Sequence, residues 1–222
     1  MENEIKARHI LLIGGGGHCH SVLDSLSSSG HFEKIGIVAK DAANYKELKD
    51  NQLVADYLVG VDADLPRLFS CGWNAAFVTL GSIGNPTGRK KIYELLRRIG
   101  FQIPSIIDET AVVSNRATIG SGVYIGKKAV INVNSTIGNC AIINTGAIVE
   151  HDCVIGEFAH VSPGAIICGS VSIGENSHVG AGSTVRQGIK IGENVLIGAG
   201  SVVVKDIPDN VMAYGNPCKV VD

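Results

Sequence analysis

The sequence predicts two domains in series, an α/β domain over residues 1–106 and a parallel β-helix over residues 107–222. Three observations lead there. Between residues 113 and 203 every sixth residue is Val or Ile, sixteen in a row without an insertion. Ahead of that run, residues 9–29 read as an apolar stretch, a glycine cluster and then apolar residues at helical spacing. The texture of the chain changes near residue 106, and 222 residues suffice for two small domains.

The α/β domain opens HILLIGGGGHCH, which reads as strand, tight turn and helix. Gly14, Gly15, Gly16 and Gly17 fit two explanations at this stage. Either the turn needs positive φ, or the backbone must approach a ligand closely, with the N–H groups of the next helix able to hold a phosphate. Strands follow at residues 34–38 (KIGIV) and 75–80 (AAFVTL), with another at 57–61, so a small parallel sheet is expected. Residues 44–68 otherwise show no clear pattern. Residues 86–99 (PTGRKKIYELLRRI) start with Pro, space Ile92, Leu95, Leu96 and Ile99 along one face, and stop at Gly100, which predicts an amphipathic helix. Its Arg89, Lys90, Lys91, Arg97 and Arg98 are expected on the solvated face, the alternative being that one of them reaches a ligand phosphate. Residues 101–107 are expected to close the sheet as a last strand.

A period of six would scatter the apolar face of a helix around its cylinder and is too long-ranged for an ordinary strand. It suits a parallel β-helix, whose coils bury a core only by stacking on one another. The fourth residue after each Val or Ile is usually small or aliphatic, as at Ala129, Ser135, Ala141 and Cys153, which supplies a second inward layer. Glycine often follows the Val or Ile directly, as at Gly126, Gly138, Gly156 and Gly174, and is expected to form the turns between strands.

In one hexad the small corner residues give way to Glu150, His151 and Asp152, and His160 follows in the next. Imidazole titrates near neutral pH, and an adjacent carboxylate fixes its tautomer and raises its basicity, as a general base requires. A single surface histidine would be a solvated side chain and nothing more. Four unusual residues interrupting one regular pattern together point to a site.

The fragment INTGAIVEHDCVIGEFAHVSPGA, with IGGGGH near the start and GNPCKVV near the end, resembles the sialic acid and nucleotide-sugar acetyltransferases, including the bacillosamine-pathway N-acetyltransferase. The resemblance extends over most of the chain. It implies a Rossmann-like first domain, a left-handed β-helix of eighteen-residue coils, a homotrimer, and acetyl-CoA bound between adjacent β-helices. With that coil length, Gly169 stacks beside His151, His178 beside His160, and Asp152 beside Asn134. The implied roles are His151 as catalytic base and Asp152 as the acid that raises its basicity. Asn144 falls near the acceptor sugar. His160, Gly169, Ala181 and Ala199 fall on the acetyl-CoA side, as do Pro217 and Lys219 of the terminal GNPCK. Gly16, Gly17 and His18 match contacts to a nucleotide sugar. The implied reaction is direct acetyl transfer from acetyl-CoA to the amino group of a sugar, specifically a UDP-linked 4-amino sugar. O-acetylation of sialic acid or another sugar hydroxyl is the alternative. The chain departs from these relatives in two places: His18, Cys19 and His20 replace a GHG run, and Val38, Ala39, Lys40 and Asp41 replace a segment in which paired acids are common. Cys153 holds an inward position of its hexad and is expected to be inert core rather than an acyl carrier.

A formal charge of −2 offers no basic patch, so neither nucleic acid nor an anionic membrane is an expected partner. Six cysteines without CxxC spacing, together with the lack of a signal peptide or long apolar span, lead to an expected cytoplasmic protein with reduced thiols. No metal is expected. Two readings from other classes compete. One is a metal-dependent hydratase that would use His151, His160 and His178 as ligands; the other is a non-catalytic trimeric scaffold that binds nucleotide.

Overall fold

The structure, a computed structural model, describes residues 8–221 and divides into two compact units. The first comprises the chain as far as Gly81 together with Thr87–Pro104; the second comprises Ser82–Pro86 and the chain from Ser105 onward.

The first unit alternates β1 (His9–Ile13), α1 (Gly17–Ser29), β2 (Lys34–Ala39), α2 (Ala42–Lys49), β3 (Leu58–Val61), α3 (Leu65–Ser70), β4 (Ala75–Val78) and α4 (Thr87–Ile99). The strands form a parallel sheet in the order β3-β2-β1-β4. Ile10, Leu11 and Leu12 are wholly buried, which is why β1 reads as an unbroken apolar run rather than an alternating one. The α1 helix buries Cys19, Val22, Leu23 and Leu26, one stripe at helical spacing, and ends on Gly30 in the left-handed conformation at φ 62°. Sheet residues Leu11, Ile13, Val38, Ala76 and Val78 share a core with Leu65, Leu68 and Leu96. The segment that showed no pattern in sequence contains α2, two 3-10 turns (Ala55–Tyr57 and Asp62–Asp64), β3 and the start of α3.

Two expectations fail here. Residues 101–107 do not close the sheet: Gln102 makes a single bridge to Ala75, and Ile106–Ile107 pairs with Tyr124–Ile125 in the second unit. Pro104 carries no N–H and interrupts any ladder between those two segments. Arg89 is not solvated but 3% exposed. It lies three residues before Ile92 and seven before Leu96, so its position falls on the apolar stripe of α4.

The second unit is a left-handed parallel β-helix. Its two-residue strands run from Ile106–Ile107 to Val202–Val203, and each pairs with a strand eighteen residues away, as Thr136 does with Val154 and Ile148 with Ile166. This gives three sheets, of five, eight and six strands. The eight-stranded sheet ends with Met212–Gly215 and an antiparallel Cys218–Val221. The Val and Ile of the period, with Ala129, Ala141, Ala147, Cys153, Ala159 and Ala165, fill the interior. Each fully buried Val or Ile contributes about 1.5–3 kcal/mol of apolar transfer free energy. Inward serines are also buried, and their hydroxyls donate to corner carbonyls: Ser135 to Glu150 at 2.6 Å and Ser177 to Gly192 at 2.6 Å.

The glycines after the Val or Ile do not make the turns. Positive φ falls two residues later, at Asn134, Cys140, Gly146, Asp152, Phe158, Gly164 and Ser170. The glycines instead face the backbone of the following coil. A Cβ on Gly156 would lie 2.6 Å from the Glu175 nitrogen, and one on Gly174 would lie 2.5 Å from the Gly192 carbonyl carbon. Close stacking of coils, not backbone conformation, therefore excludes a side chain there.

Candidate active site

The chemistry-bearing residues of the β-helix fall at two of its corners. Glu150, His151 and Asp152 occupy the corner between strands Ile148–Val149 and Val154–Ile155. Asp152 takes the left-handed turn position at φ 59°, which folds its side chain back onto its neighbour: His151 Nδ1 lies 2.8 Å from Asp152 Oδ2. A carboxylate only accepts, so Nδ1 carries the proton and Nε2 presents its lone pair. Hydrogen bonds from His151 first, and from Asn134 second, hold the Asp152 carboxyl below its ordinary range.

The rest of the corner fixes the imidazole in place. The His151 N–H donates to Glu150 Oε2 at 3.3 Å, and its carbonyl accepts from the Ser170 N–H at 2.8 Å. Gly169, eighteen residues after His151, packs under the ring; a Cβ there would lie 2.5 Å from both Nε2 and Cε1. Any side chain at Gly169 would displace the ring from this position. Among the described residues, no hydrogen bond engages the Gly169 N–H. The Cys153 thiol is 0% exposed, donates to the Cys168 carbonyl at 3.2 Å, and is pushed up in pKa by burial.

The second group lies on the eight-stranded sheet and the corner that follows it. His160 and His178 pair in register, their rings meeting edge to face with centroids 4.7 Å apart. His160 Nδ1 donates to the Ser82 carbonyl at 3.0 Å, which leaves Nε2 to accept from the Asn144 amide at 3.2 Å. Burial pushes the His178 pKa down, and its Nε2 lies 3.1 Å from Ser162 Oγ. His160, His178, Ala181 and Ala199 line an apolar groove of about 430 Å³ along this sheet. Pro217 and Lys219 fall in the terminal hairpin, with Lys219 opposite Tyr214. Within one chain, then, His151, Asp152 and Gly169 share one corner, while Asn144, Ala181 and Ala199 share another, next to the strand that carries His160. Among the described residues, no group of three or more His, Cys, Asp or Glu side chains is placed to hold a metal ion.

In the first unit, a cleft of about 860 Å³ opens beyond the carboxyl ends of β1, β2 and β3, where open parallel sheets bind ligands. Its walls include Gly16, Lys40, Asp41, Asn44, Asp62 and Lys91. The glycine cluster resolves into two pairs. Gly14 needs φ 107°, and a Cβ on Gly15 would strike Leu48 at 2.5 Å, so both serve the fold. Gly16 and Gly17 have nothing within 4 Å of a Cβ position, so the fold does not require their bareness, and the turn stays open to a ligand. Gly17 and His18 begin α1. Burial first, and the nearby Asp41 second, raise the Asp62 pKa from 3.8 to about 6. Asp62 Oδ1 is buried without a hydrogen-bond partner among the described residues.

Residues 9–96 match the PglD N-terminal domain family, and residues 170–205 match the bacterial transferase hexapeptide (six repeats). PerB from Caulobacter crescentus, solved in complex with CoA and GDP-perosamine, is 38% identical, with 98% of each chain covered and a TM-score of 0.86. The acetyltransferase domain of PglB from Neisseria gonorrhoeae FA1090, solved with acetyl coenzyme A, is 33% identical, with 97% of this chain and 100% of that one covered and a TM-score of 0.85. The chain belongs to the hexapeptide-repeat nucleotide-sugar acetyltransferases. As a member of that family it is an acyltransferase. A histidine-to-asparagine variant of perosamine N-acetyltransferase from Caulobacter crescentus, in complex with CoA and GDP-perosamine, is 37% identical over 98% of each chain, with a TM-score of 0.85. No curated protein matches the chain significantly.

Sequence reasoning did not single out as site residues Asn132 and Asn134, which contact Glu150 and Asp152, or Asp62, which lines the cleft; Lys91, one of the basic residues with a second reading as a phosphate contact, lines the cleft too. The eighteen-residue stacking of Asn132 on Glu150 and of Asn134 on Asp152 was the available signal for the first two. For Asp62 there was none, because it reaches the cleft from an element that no pattern relates to the glycine turn.

Proposed function

We propose that this chain transfers the acetyl group of acetyl-CoA to an amino group of a nucleotide-linked sugar, with His151 as general base. The observation that carries the reading is the His151–Asp152 pair, whose free Nε2 lies over Gly169, in a chain that shares its fold end to end with CoA-bound acetyltransferases. Nε2 accepts a proton from the acceptor amine as its nitrogen attacks the thioester carbonyl. The C–N bond forms, the carbonyl oxygen takes up negative charge, and the Gly169 N–H stabilises it. Collapse breaks the C–S bond, and the imidazolium, steadied by Asp152, returns the proton to the CoA sulfur. Burial of Cys153 supports direct transfer over an acyl-enzyme.

The first domain takes the nucleotide sugar through Gly16, Gly17 and His18, and the β-helix carries the transfer. Asn144 serves the acceptor side; His160, Ala181, Ala199, Pro217 and Lys219 serve acetyl-CoA. The sequence resemblance pointed to a UDP-linked 4-amino sugar, whereas the Caulobacter structures hold GDP-perosamine, so a GDP-linked amino sugar is the first acceptor to assay beside its UDP counterpart. Six free cysteines and two nucleotide-bearing substrates support a cytoplasmic location. No helix among the described residues is long and apolar enough to cross a membrane.

The two separated corners support a homotrimer. The six-stranded sheet lies between them, and its outward residues Val112, Val130, Ile148, Ile166, Thr184 and Val202 form a column of β-branched side chains, with Val112 64% and Ile166 38% exposed. Three copies packed around an axis on this face bring the His151 edge of one against the Asn144 edge of the next, in a closed head-to-tail arrangement.

The test is His151→Ala assayed by thiol release. Turnover is expected to fall by about 10²–10⁴-fold while acetyl-CoA binding is retained. Near-normal turnover in that variant, with activity lost in Cys153→Ala, would overturn the reading.

A further inference from the structure

The coil before the His151 corner presents two asparagines at the matching corner. Asn132 Nδ2 donates to Glu150 Oε2 at 3.0 Å, the same oxygen that accepts the His151 N–H. Asn134 Nδ2 donates to Asp152 Oδ1 at 3.2 Å, while Oδ2 of that carboxylate faces His151 Nδ1 at 2.8 Å. One oxygen of Asp152 is thus held by the amide and the other by the imidazole. Asp152 is half-exposed, its side chain 50% accessible, and sits on a turn at φ 59°. With one oxygen free, the carboxylate would be able to rotate away from the ring into water. Asn134 sits in the same left-handed conformation, φ 60°, so the two side chains leave equivalent turns and meet in register.

We infer that Asn134 is a positioning residue for acetyl transfer, acting through Asp152 to hold His151 in the Nδ1–H tautomer with Nε2 directed over Gly169. The inference rests on the reading of His151 as the base. An amide suits the place because it donates to the carboxylate without adding a charge. A lysine there would neutralise Asp152, and a second acid would repel it. The titratable groups around His151 are Glu150, Asp152 and the Cys153 and Cys168 thiols, with Arg116 one coil before Asn134 and Arg186 one coil beyond Cys168 at the equivalent corner positions. Asn134, which is not titratable, touches the Asp152 carboxylate from the preceding coil.

Two variants test it in the full-length protein. Asn134→Gly removes the amide and keeps the fold, since glycine occupies the same turn position at Gly146 and Gly164. Its kcat is expected to fall about 10-fold, with KM for both substrates unchanged, as for loss of an outer partner that orients an active-site ligand. Asn134→Asp keeps the shape and adds a negative charge beside Asp152, which favours the imidazolium, so the acid limb of its kcat profile is expected to move to higher pH. A purely structural asparagine would leave that limb in place. Asn194→Gly, from the asparagine ladder Asn176–Asn194–Asn210 at another corner, serves as the control and keeps full activity. Wild-type kcat in Asn134→Gly, or an unmoved acid limb in Asn134→Asp, overturns the inference if His151→Ala is inactive. An active His151→Ala overturns the base assignment itself and this inference with it.

Discussion

At the scale of single residues, environment separates carboxylates that look alike in sequence. Asp152 is exposed and receives two hydrogen bonds, so its charge is stabilised. Asp62 is half-buried beside Asp41, with an unpartnered oxygen, so its charge is opposed and its pKa rises from 3.8 to about 6. The folded state holds the Asp62 proton more tightly than the unfolded chain does. Stability from this group is therefore full at low pH and is lost as pH rises from about 4 through 6. Asp62→Asn is expected to melt at a higher temperature than wild type at pH 8, with the gap closing as pH falls through 6 towards 4. An equal melting temperature at pH 8 would show that the unbound cleft does not strain this carboxylate. An acid near a cleft is legible in sequence only as an acid; the neighbours that set its pKa come from the ends of other strands.

At the scale of the coil, two kinds of corner residue follow different rules. Where glycine follows the inward Val or Ile, as at Gly156 and Gly174, it is limited by the backbone of the next coil, and the residue two further on is limited by its own φ. Gly174→Ala would place a Cβ 2.5 Å from the Gly192 backbone and is expected to destabilise by about 1–3 kcal/mol, the range for overpacking a close contact. Gly188 has φ 72° and open space around its Cβ position. Gly188→Asn is expected to change stability by no more than about 0.5 kcal/mol, because asparagine tolerates this region at Asn134, Asn176 and Asn194. Chemical denaturation of both variants checks the pair. Equal losses would mean that the two positions share one constraint. The six-residue period was visible without a structure because each inward Val or Ile must meet the core. The reason for each glycine was not visible, because a turn and a close approach select the same residue.

At the scale of the whole molecule, the arrangement of the β-helix leaves His151 on one edge of an apolar sheet face and the Asn144–His160 group beyond the other. Within one chain His151, the proposed base, lies with Gly169 at a different corner from Asn144, Ala181 and Ala199. Ile166→Asp puts a charge in the middle of that face and is expected to convert a trimer to monomers in sedimentation analysis. Turnover should fall at least 10-fold while the circular dichroism spectrum holds, since an unpaired charge is costly to bury. A monomeric wild type with full activity would remove both the trimer and the shared site.

The sequence by itself determined the parallel β-helix and the identity of the His151–Asp152 pair, because a strict six-residue repeat sets every departure from it in relief, and the eighteen-residue coil implied by the family resemblance fixed the register. That regularity made the stacking of Gly169 under His151 and of Asn134 beside Asp152 readable before any coordinates. Only the tertiary structure decided the burial of Arg89, the passage of residues 106–107 into the β-helix, and the assembly of Gly16, Asp41, Asp62 and Lys91 around one cleft. Those depend on contacts between elements that no period relates, where the side chain across a gap, rather than the local pattern, settles what a residue does.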